Sequence, residues 1–462
     1  MRSRPRRALA VRLCLLAVVG CGAAPRDASA GPIDLAVAGD RKALEVLAAD
    51  FAKARPKTKF ERWDPAVRAD LVARASKMTL REGALPAVRD VFWKALKANP
   101  PGPPGRGGGK DATSIPTPYG PATWLQKGQG GAKNGLVVGL HGGGEGAGDA
   151  GEAAGKWTLP ECLAMYPQGI QLVHDTWNTV HGERFVLTLL EIAKVRHDVD
   201  PDRVYACGFS MGGTGSWFLA GRHPDLLAGA APCAGVLMAA PKSQVATAAE
   251  VQELQHGFVP NVRNLAMYWF IGLADKNCMP GTYLYAWDRL LELRKADPTG
   301  YAKLQFTTYP DLPHTFPPGE PSACLKWLGK QRRDAEPETI VWEQAEAPYP
   351  LPETDLDRRL GRLPVLDLYW LHCDRPTDRA LVRASRKGNE FEVSVTGGDV
   401  RDLSIWLHGD LIAPGQEVVV RSAGKELYRG TPTPNVAAVL ESLDARVDRR
   451  LTYDRRVTWG DR

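Results

Sequence analysis

A glycine-flanked serine limits the folds open to this chain more than any other segment. Residues 208–213 read GFSMGG, and they stand between the apolar run 203–207 and the helix-like stretch 214–222. A serine at such a turn needs glycine neighbours, because the backbone is strained and the helix crosses close to the strand. The turn lifts the hydroxyl clear of the sheet, and the start of the helix stabilises nearby negative charge. We therefore predict that Ser210 is a nucleophile at the end of a strand.

A second glycine-rich segment follows an apolar run earlier in the chain. Residues 136–140 have the composition of a buried strand, and His141 is followed by three consecutive glycines. Without side chains, glycines let backbone N–H groups approach an oxygen that becomes negative during acyl transfer. We expect the N–H of Met211 and that of Gly142 or Gly143 to form such an oxyanion hole, and we expect His141 to be structural.

Residues 115–332 alternate short apolar runs with helical patterns. Strand-like runs occupy 136–140, 203–207, 265–271 and 304–309, and helical spacing marks 185–195 and 282–295. Strands that alternate with helices are typical of an α/β protein with a parallel sheet covered by helices. This stretch is therefore predicted to be the catalytic domain.

The segments before and after this domain have different patterns. Residues 31–98 carry helical periodicity, and the Pro- and Gly-rich stretch 99–114 is typical of a linker. From 336 to 462, short alternating runs separated by glycine turns indicate a small antiparallel β domain with a terminal helix at 436–446. We expect the helical unit and the β domain to pack against the catalytic domain.

Three stretches together resemble the α/β-hydrolase superfamily, and more narrowly the exported bacterial esterases of the polyhydroxybutyrate-depolymerase and feruloyl-esterase type. They are LHGGG at 140–144, DPDRVY at 200–205 and GFSMGG at 208–213. The resemblance covers residues 115–332. It implies a mostly parallel sheet flanked by helices, and an acid followed by a histidine after the serine in chain order.

The acid and the histidine are expected behind the later strand-like runs. Asp275 follows the third run after a short loop, but the valine usual in the family's next segment is missing here, so Asp311 and Asp225 remain alternatives. His314 follows the fourth run, where the resemblance puts the catalytic histidine. In a triad of this kind the acid orients the histidine, which takes the proton of the serine.

The resemblance implies hydrolysis of carboxylic esters, including polymeric or plant-derived ones, through an acyl-enzyme and without a cofactor. Two alternatives remain open: a serine peptidase of related fold, and a surface-anchored binding protein on a hydrolase scaffold. The chain has no repeat of about 40–50 residues that would indicate a gating propeller, which favours the esterase.

Two further expectations concern single residues. Trp177 lies between the glycine loop and Ser210 in the sequence, and we expect it to line the substrate pocket. The cysteines and histidines lack zinc-site spacing, so no metal is predicted, while Cys278 and Cys324 could pair as a disulfide.

The N-terminus has the pattern of an export signal. Five arginines fall within the first twelve positions, an apolar run follows at 13–20, and two processing sites come next: a lipobox ending at Cys21 and an A-x-A site at 28–30. We expect a leader over 1–30 and a chain that is secreted, periplasmic or anchored by a lipid on Cys21, its one expected link to a membrane.

The net charge depends on this leader. Without its five arginines, 54 basic residues face 53 acidic ones, and a net charge of +1 gives nucleic-acid binding no support.

Overall fold

The computed structural model describes residues 31–102, 112–143, 148–169, 176–235, 259–278, 280–344 and 359–460. Pro32–Arg462 group into one compact unit. The predicted leader and Cys21 lie outside the described residues, so export stays a prediction. Within the described ranges, no helix combines the length and the apolar character that a membrane crossing requires.

Three helices form the N-terminal part: α1 (Ala38–Ala54), α2 (Pro65–Ser76) and α3 (Leu85–Ala98). The apolar residues that recur at helical spacing along α1, including Leu44 and Phe51, are buried. The carboxylate of Asp64 accepts hydrogen bonds from the first free N–H groups of α2, which fixes where that helix begins. These helices lie in the stretch where the apolar spacing predicts them.

An eight-stranded sheet forms the centre of the molecule. Its strands are β1 (Ala112–Thr117), β2 (Gly120–Lys127), β3 (Gly135–Leu140), β4 (Cys162–Pro167), β5 (Val204–Phe209), β6 (Gly229–Cys233), β7 (Ala266–Gly272) and β8 (Leu304–Tyr309). Their order across the sheet is β1-β2-β4-β3-β5-β6-β7-β8. The pairs β1–β2 and β2–β4 are antiparallel, and the other neighbours are parallel.

Helices cover this sheet: α4 (Ala150–Lys156), α5 (Val180–Arg196), α6 (Met211–Arg222), α7 (Pro280–Ala296) and α8 (Ser322–Leu328). The first four connect its parallel strands, and α8 follows β8. The mostly parallel sheet flanked by helices confirms the predicted α/β-hydrolase fold class. Ser210 directly follows β5, Asp275 follows β7 and His314 follows β8. Because parallel strands end at the same edge of a sheet, the topology brings these three residues to one edge.

Some strands of this sheet have no clear sequence signal. β6 reads GAAPC, and its glycine, alanines and proline are depleted in strands, yet it pairs with β5 on one side and β7 on the other. β1 begins at Ala112, inside the stretch 99–114 that composition assigns to a linker. Residues 112–117 pair with β2 along their whole length, and this pairing gives the segment its strand conformation. Tertiary pairing therefore overrides local propensity at these positions.

The C-terminal part is mostly β structure. Its strands are β9 (Thr339–Gln344), β10 (Asp367–Leu368), β11 (Leu371–Cys373), β12 (Ala380–Lys387), β13 (Glu390–Thr396), β14 (Leu403–Leu407), β15 (Val418–Ser422), β16 (Lys425–Gly430) and β17 (Arg455–Thr458), with the helix α9 (Val436–Arg446) before the last strand. They form a five-stranded sheet, β16-β15-β13-β12-β9, and a four-stranded sheet, β10-β11-β14-β17. The β13–β15 pair is parallel, so this part is not wholly antiparallel as predicted.

Both ends of the described chain pack together. The helix α9 lies against α2 and α3, and its Leu440 and Leu443 share a hydrophobic cluster with Phe51. A second cluster extends from the central sheet into the C-terminal strands, where it includes Trp370 and Trp406. The helical and β parts are therefore packed onto the central sheet and its helices through buried surfaces.

Candidate active site

Ser210 stands at the sharp turn between β5 and α6. Its backbone has φ 59° and ψ −124°, a conformation that costs a non-glycine residue about 1–3 kcal/mol. A Cβ on Gly208 would lie 2.1 Å from the carbonyl oxygen of Gly212, and a Cβ on Gly212 would lie 2.1 Å from that of Leu140. The N–H of Ser210 donates to the carbonyl oxygen of Cys233 at 3.0 Å, which fastens the turn to the end of β6.

Gly212→Ala is expected to destabilise the protein by about 1–3 kcal/mol or more, because the added methyl group meets the backbone of β3. Gly155→Ala is the matched control: this glycine lies in α4, and no atom lies within 4 Å of the Cβ position. The control should be neutral or should stabilise by up to about 1 kcal/mol. Thermal unfolding of both variants checks this prediction. Equal melting temperatures would contradict the close approach of α6 to the backbone of β3 at Gly212.

The three predicted triad residues are in hydrogen-bond contact. The Nε2 atom of His314 lies 2.9 Å from Ser210 Oγ, and its Nδ1 atom lies 2.7 Å from Asp275 Oδ2. The imidazole ring also packs against the Phe209 ring, with centroids 4.8 Å apart. Phe316 stacks on the Phe209 ring, with centroids 4.3 Å apart. The histidine is thus held by one hydrogen bond at each nitrogen and by an aromatic wall.

The carboxylate of Asp275 has no exposed side-chain surface. Its Oδ1 atom accepts hydrogen bonds from the N–H groups of Asn277 (2.8 Å) and Cys278 (2.9 Å), which leaves Oδ2 directed to the histidine. The two alternative acids lie elsewhere. Asp225 is ion-paired with Arg446 at 3.0 Å, and Asp311 is exposed. Among these three candidates, Asp275 is the one that contacts His314.

The glycine loop passes beside the serine. A Cβ on Gly142 would lie 3.5 Å from Ser210 Cβ and 3.1 Å from the carbonyl oxygen of Phe209. Gly143 follows with φ 98°, which favours glycine, and Met211 is the first residue of α6. The predicted oxyanion-hole backbones of Gly142 and Met211 are therefore next to the candidate nucleophile. Gly144 lies outside the described residues.

His141 and Trp177 hold this loop from behind. The Nε2 atom of His141 accepts from the N–H of Gly169 at 2.8 Å, so its Nδ1 carries the proton and donates to the Gly142 carbonyl at 2.8 Å. Burial lowers the pKa of His141, which favours this neutral form. Trp177 Nε1 donates to the His141 carbonyl at 3.0 Å. The structure gives Trp177 a place different from the predicted pocket wall, because its side chain is buried under the loop.

A support segment formed by residues 232–235, the end of β6 and the two residues after it, contacts both the serine turn and the acid loop. The hydroxyl of Tyr283, from α7, donates to the Pro232 carbonyl at 3.0 Å and accepts from the N–H of Gly235. Cys278 Sγ donates to the Ala234 carbonyl at 2.9 Å. Tyr283 is fully buried, and sequence reasoning missed it because a tyrosine on a helix carries no signal of such contacts.

Tyr283→Phe is expected to lower kcat for ester hydrolysis by about 10- to 100-fold with little change in KM. The variant leaves the N–H of Gly235 without the tyrosine oxygen, so the support segment, whose Cys233 carbonyl accepts from the Ser210 N–H, loses its contact with α7. Tyr285→Phe, two residues along the same helix and partly exposed, is the control. Steady-state kinetics on both variants check the prediction, and a rise in KM alone would contradict it.

The cysteines of the described residues are free thiols and all are buried. The suggested Cys278–Cys324 disulfide is not formed, because the Cys278 thiol points to the Ala234 carbonyl. In these described parts of the chain, one group can offer three metal ligands: Asp275, Cys278 and His314, whose ligand atoms lie within 4.8 Å of one another.

Comparisons with known proteins find likeness among solved structures. No protein-family model matches this chain, and no curated protein matches it. A thermostable esterase matches at 19% identity and a TM-score of 0.33, over 48% of this chain and 62% of the esterase, which is less than two thirds of that protein. An acetyl xylan esterase from Paenibacillus sp. R4 matches at 16% identity and a TM-score of 0.36, over 57% of this chain and 99% of that one.

A peptidase is also among these structures. Dipeptidyl peptidase 4 of Porphyromonas gingivalis matches at 12% identity and a TM-score of 0.35, over 48% of this chain and 35% of the peptidase. With TM-scores below 0.5, these likenesses carry no weight for the activity of this protein, which depends on its own residues.

Proposed function

We propose that this protein is a serine hydrolase that cleaves carboxylic esters. The observation that carries the proposal is the continuous hydrogen-bond chain from Asp275 through His314 to Ser210, with the serine on a strained turn between strand and helix. A nucleophile, a base within 2.9 Å of it and an acid that orients the base are the parts that acyl transfer requires.

The reaction has two halves. His314 Nε2 accepts the proton of Ser210 Oγ as that oxygen attacks the ester carbonyl, and it then gives the proton to the leaving alcohol. An acyl-serine remains. Water attacks this ester while His314 again accepts a proton, and the acid product leaves with Ser210 restored. The carboxylate of Asp275 accepts the hydrogen bond from His314 Nδ1–H and stabilises the charged imidazole.

The oxyanion of each tetrahedral intermediate is stabilised by backbone N–H groups. Met211 at the start of α6 supplies one donor, and the Gly142–Gly143 segment supplies another. The buried His141 supports this assignment, since its two ring hydrogen bonds hold the glycine loop in place beside Ser210. In comparable sites, each such donor lowers the free energy of the transition state by about 3–4 kcal/mol.

An ester is the preferred substrate, and a peptide is the second candidate. The chain has no propeller-length repeat of the kind that encloses peptides in related peptidases. We propose in addition that the chain is exported and takes its substrate outside the cytoplasm, including polymeric or plant-derived esters. The arginine-rich start and the apolar run before Cys21 support this localisation.

The test is a substrate panel on the full protein. Hydrolysis of p-nitrophenyl acetate, butyrate and octanoate is measured beside that of a peptide p-nitroanilide, together with labelling by a fluorophosphonate probe. Faster turnover of esters, with the probe on Ser210, is the expected result, and the chain-length trend reports the size of the acyl pocket. A preference for the anilide would establish the peptidase instead. If the protein shows no turnover of any substrate and no labelling by the probe, the binding-protein alternative is supported instead.

A further inference from the structure

Cys278 places a thiol beside the acid and the histidine of the active site. It follows Asp275 by three residues, and its N–H donates to Asp275 Oδ1 at 2.9 Å, which turns the loop back on itself. The ligand atoms of Asp275, Cys278 and His314 all lie within 4.8 Å of one another. Sulfur, imidazole nitrogen and carboxylate oxygen are the three ligand types that Zn²⁺ takes in proteins.

We propose that Asp275, Cys278 and His314 form an inhibitory site for a thiophilic divalent cation such as Zn²⁺. A tetrahedral zinc site has ligand atoms about 3.3–3.8 Å apart, given bonds of about 2.0–2.3 Å. The three groups reach this spacing if the thiol moves inward and the histidine and carboxylate, now 2.7 Å apart, separate slightly. A water molecule fills the fourth position on the side of His314, the ligand with an exposed side-chain fraction of 17%.

The proton balance of binding follows from the contacts. The Cys278 thiol loses its proton to solvent and its hydrogen bond to the Ala234 carbonyl, and the thiolate binds the cation. The cation takes the place of the proton on His314 Nδ1, and that proton moves to Nε2. One carboxylate and one thiolate then neutralise the two positive charges, which suits a buried site.

Inhibition has a direct chemical reason, and this part rests on the proposed function. An imidazole that carries metal on Nδ1 and hydrogen on Nε2 has no lone pair left to accept the proton of Ser210. The metal also separates the Asp275 carboxylate from the imidazole that it orients. Nucleophile activation is therefore lost while the fold and the substrate-binding surface stay as they are.

Metal binding is measured on the full protein without any substrate. Co²⁺ added to the protein should produce the near-ultraviolet thiolate-to-cobalt charge-transfer band, and calorimetry should give one Zn²⁺ per chain. Cys278→Ser should abolish the band and weaken Zn²⁺ binding by more than about 100-fold, since even loss of an outer-shell partner costs 10- to 100-fold. Cys373→Ala removes another buried thiol, in β11, and should bind like the original protein.

Activity gives the second readout. Zn²⁺ should abolish ester hydrolysis, EDTA should restore it, and the inhibition constant of Cys278→Ser should rise in step with its weaker binding. Ser210→Ala keeps all three ligands and should still show the cobalt band, so the metal site is decided even if no ester is turned over. Absence of the band in the original protein, or an unchanged band in Cys278→Ser, would overturn the proposal.

Discussion

Ser210→Ala is expected to lower kcat for p-nitrophenyl esters by about 10⁴-fold or more. The variant removes the oxygen that attacks the carbonyl and that lies 2.9 Å from His314 Nε2, so no acyl-serine can form. What remains is the smaller rate enhancement that the oxyanion donors and substrate binding supply. The chain should stay folded, because the alanine occupies the same turn and the backbone bond from residue 210 to the Cys233 carbonyl is unaffected.

Two measurements check this result. Steady-state kinetics give the loss of kcat, and circular dichroism with thermal unfolding shows whether the variant is native. Ser322→Ala is the matched control, since this exposed serine at the start of α8 lies outside the site. A Ser210→Ala protein that keeps more than about a tenth of the activity would remove Ser210 as the nucleophile, and with it the proposed function.

Asp448→Asn is expected to destabilise the folded protein by about 3–5 kcal/mol. The carboxylate has no exposed surface and accepts hydrogen bonds from Lys194 Nζ at 3.0 Å and from Arg333 at 3.0 and 3.1 Å. Lys194 lies on α5 of the catalytic part, whereas Asp448 follows α9 in the C-terminal part. Removal of the negative charge takes from the buried Lys194 the carboxylate of its ion pair and leaves Arg333 paired with Asp202 alone, at the junction of these parts.

The stability loss should depend on pH. Burial of Asp448 acts to raise its pKa, but the adjacent Arg333 and Lys194 outweigh burial and hold the pKa well below its ordinary value. A carboxyl group with a lowered pKa stabilises the fold above the unfolded-state pKa of about 3.9, and this contribution is lost as the pH falls further. The difference between the original protein and Asp448→Asn should therefore be full near pH 7 and should narrow below about pH 4.

Urea unfolding at several pH values measures this difference. Asp410→Asn is the control, because its carboxylate is 81% exposed and lies 3.9 Å from His408, so the change should stay below about 1 kcal/mol. Equal losses in both variants, or a loss for Asp448→Asn that does not vary with pH, would show that the buried ion network does not join the two parts.

Much of the site could be derived from local sequence. The GFSMGG turn, the apolar run before it and the helix after it specify where Ser210 stands, because the glycines are required by contacts within a few residues. The run at 304–309 coincides with β8, and the stretch 403–407 coincides with β14. Short-range spacing and residue composition suffice for such elements, since they depend on backbone conformation and on which face is apolar.

Other features depend on residues far apart in the chain, so only the tertiary structure decided them. Ser210 and His314 are separated by 104 residues, and sequence order alone left three acids open until Asp275 was found 2.7 Å from the histidine. The place of Trp177 beneath the glycine loop and the thiol of Cys278 beside Asp275 likewise carry no sequence signal.

The same reason applies to the packing of the two ends. Nothing local to Asp448 indicates that Lys194, 254 residues earlier, neutralises it in the interior. By itself the sequence determined the α/β architecture and the turn that carries Ser210, because hydrophobic periodicity and glycine geometry act over short distances. The choice of acid, the burial of the charged network and the metal-ligating group were decided by the fold, because burial and ion pairing depend on which distant segments the sheet brings together.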